Sequence, residues 1–309
     1  MKTKLEAMVL LEKEWFIEAP WGRICIVAWG NCYDPPVLAC HGAMDTAASF
    51  RPLIRLLPQK FYYIGIELPG NGKSDPFPPG VVLSLYDFVY AIHVVVRHFR
   101  WESFSVMAHS LGAALANTYN LCYPGKINKF VQFDPIFCKT LKPGDFHGWY
   151  QISYGAYFNN MSFFNAAVEE TKKFTVEEVL QNLMKRRKLT LECAQATLER
   201  MAVPAGDGFV RLNYDRRMKI LQTPPFSPEQ YQVLYTKLKT PTLSIIAQDS
   251  KDNGSYDNTS FVLDENSYPY KNCRVKFVKG GHDLHFVNPE SVAPFVAEFL
   301  MNCNSKAKL

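Results

Sequence analysis

The 309-residue sequence predicts an α/β fold, a mostly parallel eight-stranded sheet with helices on both faces, and three observations predict it. Short runs of β-branched and aromatic residues recur along the chain, each closing at a polar or glycine-rich turn, as strands buried on both faces do. Segments with helical spacing of apolar residues stand between them, as parallel pairing requires of its crossovers. From about residue 138 to 239 the strand pattern disappears and then resumes. A helical cap at 138–239 is therefore expected between two parts of one core, 1–137 and 240–309.

The elements follow in order. EWFIEAPWGRICIVAW, residues 14–29, reads as an opening hairpin turned at Pro20-Trp21-Gly22. Buried-type strands are expected at 37–40, 61–66, 104–107 and 130–133. SLYDFVYAIHVVVRHF, from Ser84, has helical spacing, and Ser84 with Asp87 is a start signal, so it reads as a crossover helix. Inside the expected cap, an aromatic-rich loop spans 145–164. Helices begin near Thr175, where Glu178 completes a capping box, near Thr190, and at Ser227-Pro228 with Gln230. The intervening VPAGDGFVRLNYDRRMK reads as a loop. Strands at 243–247 and 275–278 and a helix at 292–301 close the core.

Composition narrows the function classes. Lysine and arginine exceed aspartate and glutamate by 34 − 29 = 5, but the basic residues are scattered. The densest run, KRRK at 185–188, reads as a solvated helix face, so no nucleic-acid partner is expected. The eight cysteines hold no C-x-x-C pair and fall mostly in apolar runs, which suits buried thiols of an intracellular protein. The only apolar run near the N-terminus is five residues long, 7–11, too short for a signal peptide or a spanning helix, and no membrane insertion is expected.

The chemistry centres on MAHSLGA, residues 107–113. Ser110 sits between an expected strand and a helix rich in small residues, the setting of a G-x-S-x-G nucleophile elbow with Ala108 in place of the first glycine. A serine hydroxyl needs a base, a group that orients the base, and donors for the oxyanion. His41-Gly42 follows a strand, so the backbone N–H of Ala43, or less favourably Met44, joins that of Leu111 as the expected oxyanion pair. His282, after a Gly-Gly turn behind the last strand, is the expected base. His285, three residues on, has no further ligand cluster nearby, and neither a metal nor another cofactor is expected. His147, in the aromatic segment, is a candidate substrate contact. The acid is expected after strand 243–247. Asp249 is preferred over Asp252, with Asp134 after strand 130–133 as the main rival, although the spacing P-x-L-x-I-x-G-x-x-D would put the acid at Ser250.

These segments resemble the α/β-hydrolase fold family over about residues 14–302. More narrowly, APWGRICIVAWG, HGAMDTAASF, MAHSLGA and GGHDLHFVNPESVA look like the serine hydrolase-like (kraken-like) protein group. The resemblance implies a Ser-Asp-His order of Ser110, Asp249 and His282, and an acyl-enzyme formed on an ester or thioester. With the aromatic cap residues, it implies a small apolar acyl or aromatic substrate. The alternative is a ligand-binding or interaction protein that has lost activity. The sequence departs from the family pattern at Ala43, Glu67, Asn71 and Ala108. The resemblance also bears on the last residues, Ala307-Lys308-Leu309, a variant of the Ser-Lys-Leu address. They imply the peroxisomal import receptor as partner and the peroxisome as location, with the cytoplasm as the alternative.

Overall fold

Alternation along the strands sends neighbouring side chains into two separate cores. Ile24, Ile26, Leu38 and Ile66 pack with Phe88, Val95 and Ala114 on one face; Cys25, Val27, Val37 and Ile245 pack with Val292, Val296 and Leu300 on the other. A sheet covered on both sides results, which is why its central strands carry so few polar residues. A computed structural model of the chain describes residues 11–135, 140–141 and 144–302. The Ala307-Lys308-Leu309 tail and residues 7–10 of the N-terminal run lie outside the described residues.

The strands are β1 (Glu12–Ala19), β2 (Gly22–Trp29), β3 (Pro36–Cys40), β4 (Tyr62–Ile66), β5 (Phe104–His109), β6 (Ile127–Phe133), β7 (Phe174–Thr175), β8 (Ala202–Pro204), β9 (Phe209–Leu212), β10 (Thr242–Ala247) and β11 (Cys273–Val278). Eight of them form one sheet in the order β1-β2-β4-β3-β5-β6-β10-β11. The pairs β1–β2 and β2–β4 are antiparallel and the rest are parallel. From β3 the chain steps outward to β4; from β5 it steps the other way to β6. The order therefore reverses between β3 and β5, and the crevice at their C-terminal ends is where such sheets seat ligands.

Helices Leu85–His98, Leu111–Cys122 and Pro228–Thr236 cover one face, and Pro289–Met301 with the short turns Arg51–Ile54 and Leu284–Val287 covers the other. The predicted start signals act as expected. Thr175 and Glu178, and Ser227 and Gln230, form reciprocal capping boxes, the Asp87 carboxylate accepts from the N–H and hydroxyl of Ser84, and Thr190 caps Leu191–Met201.

Between β6 and β10 the structure differs from the expected helices and loops: the aromatic stretch read as a loop at 145–164 is largely helical. Helices Val176–Arg187 and Leu191–Met201 are accompanied by a three-stranded sheet, β7-β9-β8. The later stretch read as a loop is a hairpin. Gly206, Asp207 and Gly208 all take positive φ in its turn, and Phe209 N–H bonds Gly206 O at 2.9 Å. Strands of three and four residues carry too little alternation to register as a period.

Candidate active site

The tight turn after β5 is built around steric necessity. Ser110 has φ 51° and ψ −117°, a conformation that costs a non-glycine residue on the order of 1–3 kcal/mol. Its N–H is fixed to Phe133 O at 3.1 Å, and its carbonyl accepts from Ala113 at 3.0 Å. A Cβ on Gly112 would collide with the carbonyl oxygens of Cys40 and His41, so only glycine lets the following helix lie this close to β3. Ala108 is different. It is fully buried beside Cys40 and Gln132 of the flanking strands, and its methyl belongs to the core.

The loop after β3 lies against the same turn. A Cβ on Gly42 would stand 2.9 Å from His109 Nδ1 and 3.2 Å from Ser110 Cβ, so glycine there keeps the loop in contact with the serine. His41 fixes the loop from behind: its Nε2 accepts from Leu68 N–H at 3.0 Å and its Nδ1 faces Gly42 O at 2.7 Å. Those partners define the tautomer, with the proton on Nδ1. Burial lowers the His41 pKa, which favours this neutral form. Ala43 is exposed at the mouth of the loop, and Leu111 opens the helix after Ser110, where backbone N–H groups have no helical acceptor.

The structure corrects the predicted acid. His282 Nδ1 lies 2.6 Å from Asp134 Oδ2, while Asp249 is exposed and pairs with Lys188 at 3.0 Å. Asp252 is exposed too, accepting from Gln248 at 2.7 Å. The physical reason lies in the sheet. β6 and β10 are parallel neighbours, so the residue just past β6 reaches the point that the residue just past β10 would otherwise supply. Asp134 holds that point and Ser250, where the common spacing puts the acid, donates its hydroxyl to Asp134 at 2.6 Å. The helical turn Gln248–Asp252 begins immediately after β10 and swings Asp249 outward.

Asp134 is fully buried and heavily satisfied. Besides Ser250 and His282, it accepts from Tyr256 OH at 2.7 Å and Ala247 N–H at 2.9 Å. Burial acts to raise the carboxyl pKa. Hydrogen bonds from His282 first, then Ser250 and Tyr256, outweigh it and hold the group below its ordinary value. The ionised carboxylate requires the His282 proton on Nδ1, which leaves the Nε2 lone pair available.

His109 and His285 support this arrangement without solvent access. His109 Nε2 faces the His282 carbonyl oxygen at 3.0 Å, so as donor it ties the histidine loop to the elbow. Burial, followed by the neighbouring His285 and His282, depresses the His109 pKa strongly. His285 is fully buried in the core, its ring 4.8 Å from Phe50 and 5.4 Å from Phe133. Asp45, His109 and His285 place one ligand-type atom each within 4.8 Å of one another. Arg187 already supplies a cation to the Asp45 carboxylate, at 3.2 Å.

The departures at Glu67 and Asn71 also have partners. Glu67 and Arg200, the latter from the segment between β6 and β10, form a buried ion pair, and Glu67 also accepts from Lys73 N–H at 2.7 Å. The buried Asn71 donates to the Leu68 and Pro69 carbonyls. Of the KRRK run, Lys185, Arg186 and Lys188 are exposed as predicted, but Arg187 turns inward to Asp45 and Asp283. His147 is exposed. Two clefts, of about 240 and 400 Å³, open near Phe77 and Arg217 and near Arg51 and Cys193, and neither is lined by Ser110 or His282.

A family model described as alpha/beta hydrolase fold matches residues 35–289. The human "Serine hydrolase-like protein 2" is 32% identical over 295 residues, covering 92% of this chain and 92% of that protein. Among solved structures, a hypothetical protein of Pseudomonas aeruginosa PAO1 superposes with a TM-score of 0.77 at 20% identity, covering 93% of this chain and 97% of that one. The "Thioesterase Domain From Curacin Biosynthetic Pathway" does so at 0.75 and 19%, covering 93% and 99%.

Proposed function

This chain belongs to the alpha/beta hydrolase fold family, in its serine hydrolase-like group, and from that premise we propose that it is a serine hydrolase of esters or thioesters acting through Ser110, His282 and Asp134. The observation that carries the reading is the strained backbone of Ser110 at φ 51°. Glycine would adopt that conformation at no steric cost, so a serine kept there argues for use of its hydroxyl.

His282 Nε2 takes the Ser110 proton as Oγ bonds to the acyl carbon, and the Leu111 and Ala43 N–H groups receive the oxyanion. Collapse breaks the bond to the leaving alcohol or thiol, which carries off the proton from His282. Water then repeats the sequence on the acyl-enzyme, releasing the acid and restoring Ser110. Asp134 stays ionised throughout and stabilises the imidazolium. The small apolar acyl or aromatic substrate rests on the cap reading of the segment between β6 and β10, whose stretch from Phe146 to Val168 is uncharged and aromatic-rich.

A fluorophosphonate probe tests the reading: the folded protein should label at one site, and Ser110→Ala should abolish labelling. Absence of labelling in the wild type would favour the ligand-binding alternative. The peroxisomal address is a separate proposal, overturned if removal of Ala307-Lys308-Leu309 leaves the distribution of a tagged protein unchanged.

A further inference from the structure

Arg187 is the last residue of helix Val176–Arg187, and the chain reverses immediately after it, with Lys188 at φ 55°. Its guanidinium spans two carboxylates from different loops. Nη2 and Nε meet Asp283 Oδ1 and Oδ2 at 2.5 and 3.1 Å, and Nη1 meets Asp45 Oδ1 at 3.2 Å. The carboxylate side chains are 3% and 1% exposed, so neither has water to replace the guanidinium. Asp45 lies two residues beyond Ala43, and Asp283 follows His282 directly. One side chain from outside the main sheet therefore joins the loop that carries the expected oxyanion donor to the loop that carries the base.

We propose that Arg187 is a positioning residue, holding the Ala43 loop and the His282 loop at one spacing and neutralising the carboxylate next to His282, so that Asp134 alone governs the imidazole. This rests on the Ser110–His282–Asp134 reading. The charge argument depends on everything packed around the imidazole. Asp134 comes from the end of β6 and Asp283 from the imidazole's own loop, Asp45 from the loop after β3 lies beside His109 and His285, and those two histidines are held neutral by burial. Lys188 and Asp249 pair with each other beside Gly281. Burial acts to raise Asp283, but the Arg187 charge outweighs it and keeps the group ionised. Without the guanidinium, the buried Asp283 carboxylate beside His282 is uncompensated and Asp45 loses the ion pair that ties its loop to the base loop. Lysine retains the charge but cannot make the bidentate contact, so charge and geometry separate experimentally.

The test has two readouts on the full chain: fluorophosphonate labelling rate against pH, and titration of the His282 imidazole by NMR. In Arg187→Met, labelling at pH 7 should fall roughly tenfold or more, and the acid limb and the imidazole titration should move up by about one pH unit. Arg187→Lys should keep the limb in place while losing plateau rate. Adding Asp283→Asn to Arg187→Met should return the limb toward the wild type. A folded Arg187→Met with wild-type limb and plateau overturns the proposal. Should that variant not fold, wild-type profiles in both Arg187→Lys and Asp283→Asn overturn it instead. A wild type that fails to label removes the hydrolase reading, and the NMR titration still decides whether Arg187 controls His282.

Discussion

A carboxylate serves a histidine only if it stays charged beside it, and at Asp134 four donors converge on a group with no exposed surface. Removing one donor at a time should therefore show graded effects. Tyr256→Phe leaves three donors and should lower the acylation rate several-fold with the carboxylate still ionised, and Ser250→Ala should do the same. Both are read by labelling rate against thermal stability. Ala108→Gly is the control: it removes one buried methyl and adds backbone freedom in β5, costing about 1 kcal/mol in denaturant unfolding, with Ser110 labelling retained.

Elements meet at this site through close approach and through buried arginines. Gly112→Ala drives a methyl into the Cys40 and His41 carbonyls and should cost more than about 2 kcal/mol, or abolish soluble expression, because backbone there cannot yield. Arg200→Met leaves Glu67 as an uncompensated buried charge and should destabilise by about 3–5 kcal/mol, with Glu67→Gln in the same chain recovering a large part. At this scale most of the fold was legible. Hydrophobic patterning located all eight strands of the main sheet, and Ser84, Thr175, Thr190 and Ser227 marked where their helices start, because capping is local chemistry. The hairpin of β8 and β9 was not, since strands so short are decided by pairing with each other and not by their own pattern.

Over the whole molecule, acid sensitivity follows from buried neutral histidines. Burial lowers the pKa of His41, His109 and His285 in the folded protein, whereas the unfolded chain titrates near the ordinary value of about 6.5. Above that pH both states hold these rings neutral and stability is unaffected by them. Below it the unfolded state binds more protons, so stability falls as pH falls. The thermal midpoint should thus be flat from about pH 8 to 7 and decline below about 6.5. His285→Phe, among Phe50 and Phe133, should weaken that decline. The candidate site was legible where function imposes a local motif, at Ser110, Gly42 and His282. It was not legible where two strands compete to place one side chain. Asp134 and Ser250 are 116 residues apart in the chain yet hydrogen-bonded, and only the β6–β10 pairing shows that Asp134, and not Asp249, meets His282. Arg187 was hidden for the same reason, since a run of four basic residues does not reveal which one turns inward. The most direct test of the Ser110–His282–Asp134 assignment is the fluorophosphonate labelling rate at neutral pH of Asp134→Asn against Asp249→Asn. The first should lose roughly 10³–10⁴-fold while remaining folded and the second should stay within about twofold of the wild type; the reverse ranking, or equal rates in the two variants, would contradict it.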